Sequence, residues 1–261
     1  MKRTIYSISR GAMLALPALA ALMAPVRADE ADARALLTAM SDYLVAQDSF
    51  SFDYDSMLDV VTSDGETLSL ASSGSVALDR PGMIRASRKG GFVDLDMVFD
   101  GKTLSLYGGN VNRYVSVELP GTVEDLTSTL TNTYHHPLPA ADLLGSDPYG
   151  ALMADVTDVK DLGSGVIGGV ECDFLAFRSD HTDWQIWIAQ GEQPYPCRLA
   201  IAARNVENAP QYSITLRNWQ TGTGGADFTF AAPDGAQAVD AAEFTTLVPD
   251  MPENFDLGEL K

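Results

Sequence analysis

Reactive side chains are scarce in this sequence: 261 residues include two cysteines and three histidines. His135 and His136 are adjacent, so their side chains point different ways and make a poor chelate. His181 lies in a turn between Asp180 and Asp183, with no Gly-x-Ser-x-Gly elbow or similar nucleophile context elsewhere in the chain. Cys172 and Cys197 lack Cys-x-x-Cys spacing, which argues against a redox-catalytic role. Asp53, Asp55 and Asp59 fall on a strand pattern, not in the glycine-bearing loop that calcium requires. Asp94 and Asp96 share a strand face about 7 Å apart, but on an exposed face such a pair reads as a solvated edge. The chain therefore reads as a non-enzyme, with no cofactor and no metal.

Positive charge is also scarce, with 17 Lys and Arg against 36 Asp and Glu. A surface of this sign repels nucleic acid and excludes membrane attachment through basic patches. Long apolar runs are confined to residues 11–24, too short for a span of roughly 20 residues. That run follows Lys2, Arg3 and Arg10 and precedes the small-x-small site Val26-Arg27-Ala28, the pattern of a secretory signal peptide. Cleavage is expected after Ala28, with export to the periplasm and no stable membrane insertion. No cysteine follows the apolar run, so acylation of a new N-terminus is unavailable. Without residues 1–28 the net charge is −23. The expected organisation is a signal peptide over 1–28, one domain over 29–231 and an acidic tail over 232–261.

What the chain has in quantity is strand periodicity. Residues 29–47 read first as a helix with a stripe of Ala35, Leu36, Ala39, Met40, Tyr43, Leu44 and Ala46. The period then switches to two. Phe50, Phe52, Tyr54, Leu58 and Val60 alternate with Ser51, Asp53, Asp55 and Asp59, giving one apolar and one polar face. Asp64-Gly65, Arg80-Pro81-Gly82, Gly90-Gly91, Asp100-Gly101 and 110–112 mark successive turns. Leu68, Leu70, Val76 and Leu78 lie on the second strand, and Val93, Leu95, Met97 and Phe99 on a later one. Six or seven strands thus meander in order before residue 120.

The pattern then breaks. Thr122 is placed to cap a short helix carrying Val123, Leu126 and Leu130. Helical turns are expected over 140–144 and 149–153, with Pro137, Gly145 and Pro148 as hinges. Strands resume near Val156, and 170–219 form a second antiparallel meander. A last short strand is expected over 227–230, followed by a tail that is loosely packed and lies along the sheet, or is disordered. A single antiparallel sheet of ten or eleven strands cannot stay flat. It should curl into a partial barrel, mainly β, with the helices covering its concave face.

The run Cys172-Asp173, Leu175-Ala176-Phe177-Arg178, Asp183-Trp184-Gln185-Ile186-Trp187-Ile188, Gly191, Pro194 and Pro196, then Pro210-Gln211-Tyr212, resembles a family of predicted periplasmic proteins of unknown function. That family is similar in fold to the lipoprotein-carrier superfamily of LolA, LolB and mycobacterial lipid-binding lipoproteins. The resemblance implies a LolA-like half-barrel with a helical lid and an apolar cavity for acyl chains. The chain departs from the family pattern at Phe174, where His is common, and at Cys197, where a basic residue is common.

The residues expected to line such a cavity are Phe50, Phe52, Tyr54, Leu70, Val93, Leu95, Met97, Phe99, Trp184 and Ile186. Ordinary core packing is the competing reading for each, and the helices could fill the space themselves. Trp184 and Trp187 lie on opposite faces of one strand. Met40, Met57, Met83, Met97 and Met153 would suit adaptable apolar contact. Cys172 and Cys197 begin strands that flank the Trp184 strand, about 9.5 Å apart by strand spacing. A disulfide needs Cα atoms within about 7 Å, so a bridge requires a curl or a bulge there. The expected partner is a lipid or a lipidated protein. The alternative is an envelope interaction or sensor module that captures a protein segment by β-augmentation.

Overall fold

The computed structural model describes residues 30–134, 138 and 140–247. One helix, α1 (Glu30–Val45), leads into β1 (Ser49–Val61), β2 (Thr67–Asp79), β3 (Met83–Gly90), β4 (Asp94–Phe99), β5 (Thr103–Gly108) and β6 (Arg113–Glu118). A helical insert follows: α2 (Val123–Asn132), a 3₁₀ turn at Ala141–Leu143 and α3 (Pro148–Met153). The chain returns to strand as β7 (Val156–Ile167), β8 (Val170–Ser179), β9 (Thr182–Ala189), β10 (Pro196–Ala203) and β11 (Gln211–Thr221). It ends in the two-residue β12 (Gln237–Ala238) and a 3₁₀ helix at Ala241–Leu247.

All twelve strands form one curved, unclosed sheet in the order β12-β6-β5-β4-β3-β2-β1-β11-β10-β9-β8-β7. The two meanders expected from the sequence are joined side by side, because β1 pairs antiparallel with β11. The joint is irregular between Ser51 and Asp53. There Asn218 takes a left-handed conformation, φ 53°, which Asn tolerates better than most residues.

The period-two pattern sets the register. Transverse rows of concave-facing residues cross the sheet. One runs Leu104, Phe99, Ile84, Leu78, Phe50, and the next Leu106, Met97, Ala86, Val76, Phe52. The first row is fully buried. Toward the other end of the strands lie Leu70, Leu58 and Tyr212, which are only half-buried. The concave face therefore grades from sealed to open along the strand direction.

Helices cover the sealed end. α1 packs on β7, β9 and α3, and buries Ala33, Leu37, Met40 and Leu44 at helical spacing. This face is rotated from the expected stripe: Ala35, Ala39 and Ala46 are exposed. Many small alanines made several faces look equally apolar, and the larger Leu37, Met40 and Leu44 decide which is buried. In α2, Thr122 accepts from the Asp125 N–H while the Asp125 carboxylate accepts from the Thr122 N–H, a capping box that fixes its start. Val123, Leu126 and Leu130 are its buried face, as expected.

The C-terminal part differs from expectation. Residues 227–230 contain no strand, though Phe230 packs against Tyr114 in a tilted pair with ring centroids 5.4 Å apart. The segment over 237–247 is packed and not loose. β12 pairs in parallel with β6, and Phe244 and Leu247 are core residues. A proline-bearing acidic sequence hid the two large apolar side chains that dock it. His135, His136, Pro137 and residues 1–29 lie outside the described residues.

Candidate functional site

The concave face is not filled by its cover. Between the sheet and the helical insert lies a cavity of about 550 Å³, within the roughly 300–1,000 Å³ common for ligand sites. Phe50, Phe52, Tyr54, Leu95, Met97 and Leu106 form part of its sheet wall. Leu44, Leu130, Leu143, Leu144 and Phe244 form the roof. The roof side chains come from α1, α2, the 3₁₀ turn and the C-terminal 3₁₀ helix, so four separated segments converge on one space.

Of the ten lining residues expected from the sequence, the structure brings Phe50, Phe52, Tyr54, Leu95 and Met97 to the cavity. Val93, Phe99, Trp184 and Ile186 are buried in the surrounding core without lining it. Trp184 is stacked on Phe177 at 3.9 Å between centroids. Leu70 is half-buried beyond the cavity's edge. Of the five methionines, Met97 alone touches the space; Met40 is sealed in the core and Met57 is exposed.

Most of the lining was not singled out from the sequence, and Trp219, Phe244, Tyr212 and Arg88 are the chemically distinctive part of it. Trp219 stands over Phe50 and Phe52, with centroids 4.8 and 5.8 Å apart, and its Nε1 donates to the Tyr43 hydroxyl at 3.3 Å. Its signal was the preceding Asn218, the residue type that turns a bulge. Phe244 stacks on Tyr134 at 4.0 Å. Tyr212 and Arg88 bring polar atoms into the wall. Around them the Tyr54 hydroxyl donates to the Ser87 carbonyl at 2.9 Å, and the Ser56 and Ser72 hydroxyls meet at 2.9 Å. Gly74 lies between Tyr54 and Arg88 on β2. A Cβ there would stand 1.9 Å from the Ser87 oxygen and 2.7 Å from the Tyr54 hydroxyl, so the tyrosine crosses β2 only because that position is glycine.

Cys172 and Cys197 lie away from this site, on the convex side. Both are buried free thiols beside Ala189, Trp187 and Tyr195. β10 has an irregular register between Pro196 and Arg198, a bulge at Cys197. Cys172 faces Ala189 across β8 and β9. The small alanine and the bulge leave both side chains in one small buried cluster, where the Cys172 thiol donates to the Val170 carbonyl at 3.4 Å. Burial pushes both thiols up, Cys197 the further. Trp187, on the same side, stacks on Phe174 at 4.4 Å under Arg198.

The titratable groups considered from the sequence are tied elsewhere. Asp96 pairs with Arg85 and Asp94 with Lys89 on the convex face, and His181 contacts Asn205. Among the described residues no three His, Cys, Asp or Glu come together to hold a metal. No helix among them is long and apolar enough to cross a membrane.

The model of the family described as "Predicted periplasmic protein (DUF2092)" matches residues 33–242, and the chain belongs to that family. No curated protein sequence matches it. Among solved structures, the chain is similar to the lipoprotein LppX of Mycobacterium tuberculosis, at 15% identity over 77% of this chain and 100% of that one, TM-score 0.48. It is similar to LprF of Mycobacterium bovis, at 15% identity over 78% and 98%, TM-score 0.45. A LolA superfamily protein of Nitrosomonas europaea matches at 10% identity over 73% and 93%, TM-score 0.33.

Proposed function

We propose that this member of the predicted periplasmic family is exported, loses residues 1–28, and holds the acyl chain of a lipid or lipidated protein in its half-barrel without transforming it. The observation that carries this reading is the unfilled apolar cavity. Protein interiors close-pack, and a void of this size forfeits dispersion contacts unless something enters it. Each methylene moved from water into such a space contributes about 0.8 kcal/mol, so a dozen would contribute about 10 kcal/mol before the ordering of the chain and the opening of the cover are offset against it. The roof suits a movable cover. It is assembled from short helical pieces, with Gly145 and Pro148 at the joints as candidate hinges. Purified from a periplasmic extract, the protein should yield lipid on solvent extraction, in near one-to-one amount by mass spectrometry. A lipid-free extract, with native mass spectra showing only the polypeptide, refutes the reading.

A second reading rests on β7. It is the outer strand at one edge of the sheet, with Leu162 and Val166 exposed, and an unpaired ladder can take up an extended segment. Protein capture with an empty cavity would favour it over the carrier reading.

A further inference from the structure

The cavity wall holds one charged side chain, Arg88, and its setting is unlike that of the neighbouring cations on β3. Arg85 and Lys89 face outward and pair with Asp96 and Asp94. Arg88 points inward, and among the described residues it forms no ion pair. Its Nε donates to the Ser72 hydroxyl at 3.1 Å. In a chain where acids outnumber bases two to one, a half-buried cation kept from every carboxylate is a costly arrangement unless an anion completes it.

The side-chain polar atoms near it are hydroxyls, of which the Tyr54 hydroxyl already donates to the Ser87 carbonyl. Burial pushes the Tyr54 and Tyr212 hydroxyls up, with Arg88 opposing, so both stay protonated at neutral pH. Ser56 and Ser72 add hydroxyls beside them. This cluster sits between the sealed end at Phe50 and Phe52 and the half-buried Leu58 and Leu70. A chain lying along the strands with its tip at Phe50 would therefore place its head at Arg88.

We propose that Arg88, with Tyr212, Ser56 and Ser72, forms a head-group seat, and that the ligand is an amphiphile with an anionic carboxylate or phosphate head. This rests on the cavity reading above and narrows it. The acidic exterior does not oppose it at close range: charges farther than about 8 Å are screened at physiological salt. Inside the wall the guanidinium acts in a less polar medium, where its attraction is stronger, and its planar fork matches either head.

The test uses delipidated full-length mature protein and four twelve-carbon probes: dodecanoate, dodecyl phosphate, dodecanol and dodecyltrimethylammonium. Each displaces a neutral fluorophore, 1-aminoanthracene, from the cavity. The wild-type protein should bind at least one anionic probe ten-fold or more tighter than dodecanol. In Arg88→Gln that preference should fall to within two-fold, and Arg88→Lys should keep most of it. A cooperative thermal melt followed by far-UV circular dichroism shows that each variant is folded. A stronger response to the carboxylate points to a fatty acid, and to the phosphate, a phospholipid-type head. Equal binding of dodecanol and both anions, preference for the ammonium probe, or a preference that survives Arg88→Gln overturns the head-group seat alone. Failure of all four probes to displace the fluorophore overturns the cavity reading with it.

Discussion

Phe99 and Met97 stand two residues apart on β4, on the same face, and do different work. Phe99 is fully buried in the sealed row, and Phe99→Ala should cost about 3–5 kcal/mol in urea denaturation. Met97 borders open space, so Met97→Trp should change stability by less than about 1.5 kcal/mol yet sharply reduce extractable lipid. Alternation in the sequence put both on the concave face. It could not separate them, because the difference lies in which positions the distant roof reaches. The cysteines make a second case. Burial holds both thiols protonated, so in reduced, folded protein neither should react with iodoacetamide at pH 8, and both should react on unfolding. Their place in one buried cluster also allows oxidation, the two sulfurs joining as two protons and two electrons pass to a thiol–disulfide oxidant. Unreduced protein from the periplasm should then show no titratable thiol after unfolding; two thiols there would refute the bridge. On the chain-entropy model the bridge would contribute about 3–4 kcal/mol.

At the scale of elements, each helix depends on a local device as well as on burial. Thr122→Ala removes half of the α2 capping box and should lower stability by about 1 kcal/mol, measured by thermal or urea unfolding. Arg80 links cover to sheet: its Nε donates to the Gln47 carbonyl after α1, and Nη1 to the Leu144 carbonyl at the end of the 3₁₀ turn. Arg80→Met should speed amide exchange in 141–153 more than in β1, because the cover loosens while the ladder stays paired. If exchange rises equally in both, Arg80 supports the fold as a whole and not the cover. Strands and caps were legible because they are written in neighbouring residues: alternation, Asp-Gly turns, Thr122 three before Asp125. The docking of 237–247 was not. It depends on Phe244 meeting Tyr134 across more than a hundred residues, in a stretch whose composition reads as unstructured.

For the molecule as a whole, charge and curvature act together. A net charge of −19 on one compact body repels itself, so the melting temperature should rise by a few degrees between 10 and 150 mM NaCl. A flat or falling response would mean that the acidic side chains are locally compensated. The curled sheet itself was expected from strand number and twist, and the open cavity followed from the resemblance. The joint between the meanders was not legible, since nothing local in β1 specifies β11. That joint governs how the molecule comes into being. A chain leaving the ribosome delivers β1 about 160 residues before β11, the strand that must lie against it. Through most of its passage the nascent half-barrel carries a bare, aromatic-rich margin on Phe50 and Phe52, and only the late arrival of Tyr212 to Trp219 closes it. Synthesis thus has a vulnerable interval set by topology, in which a holdase would be needed most and a truncated product would be the form that aggregates.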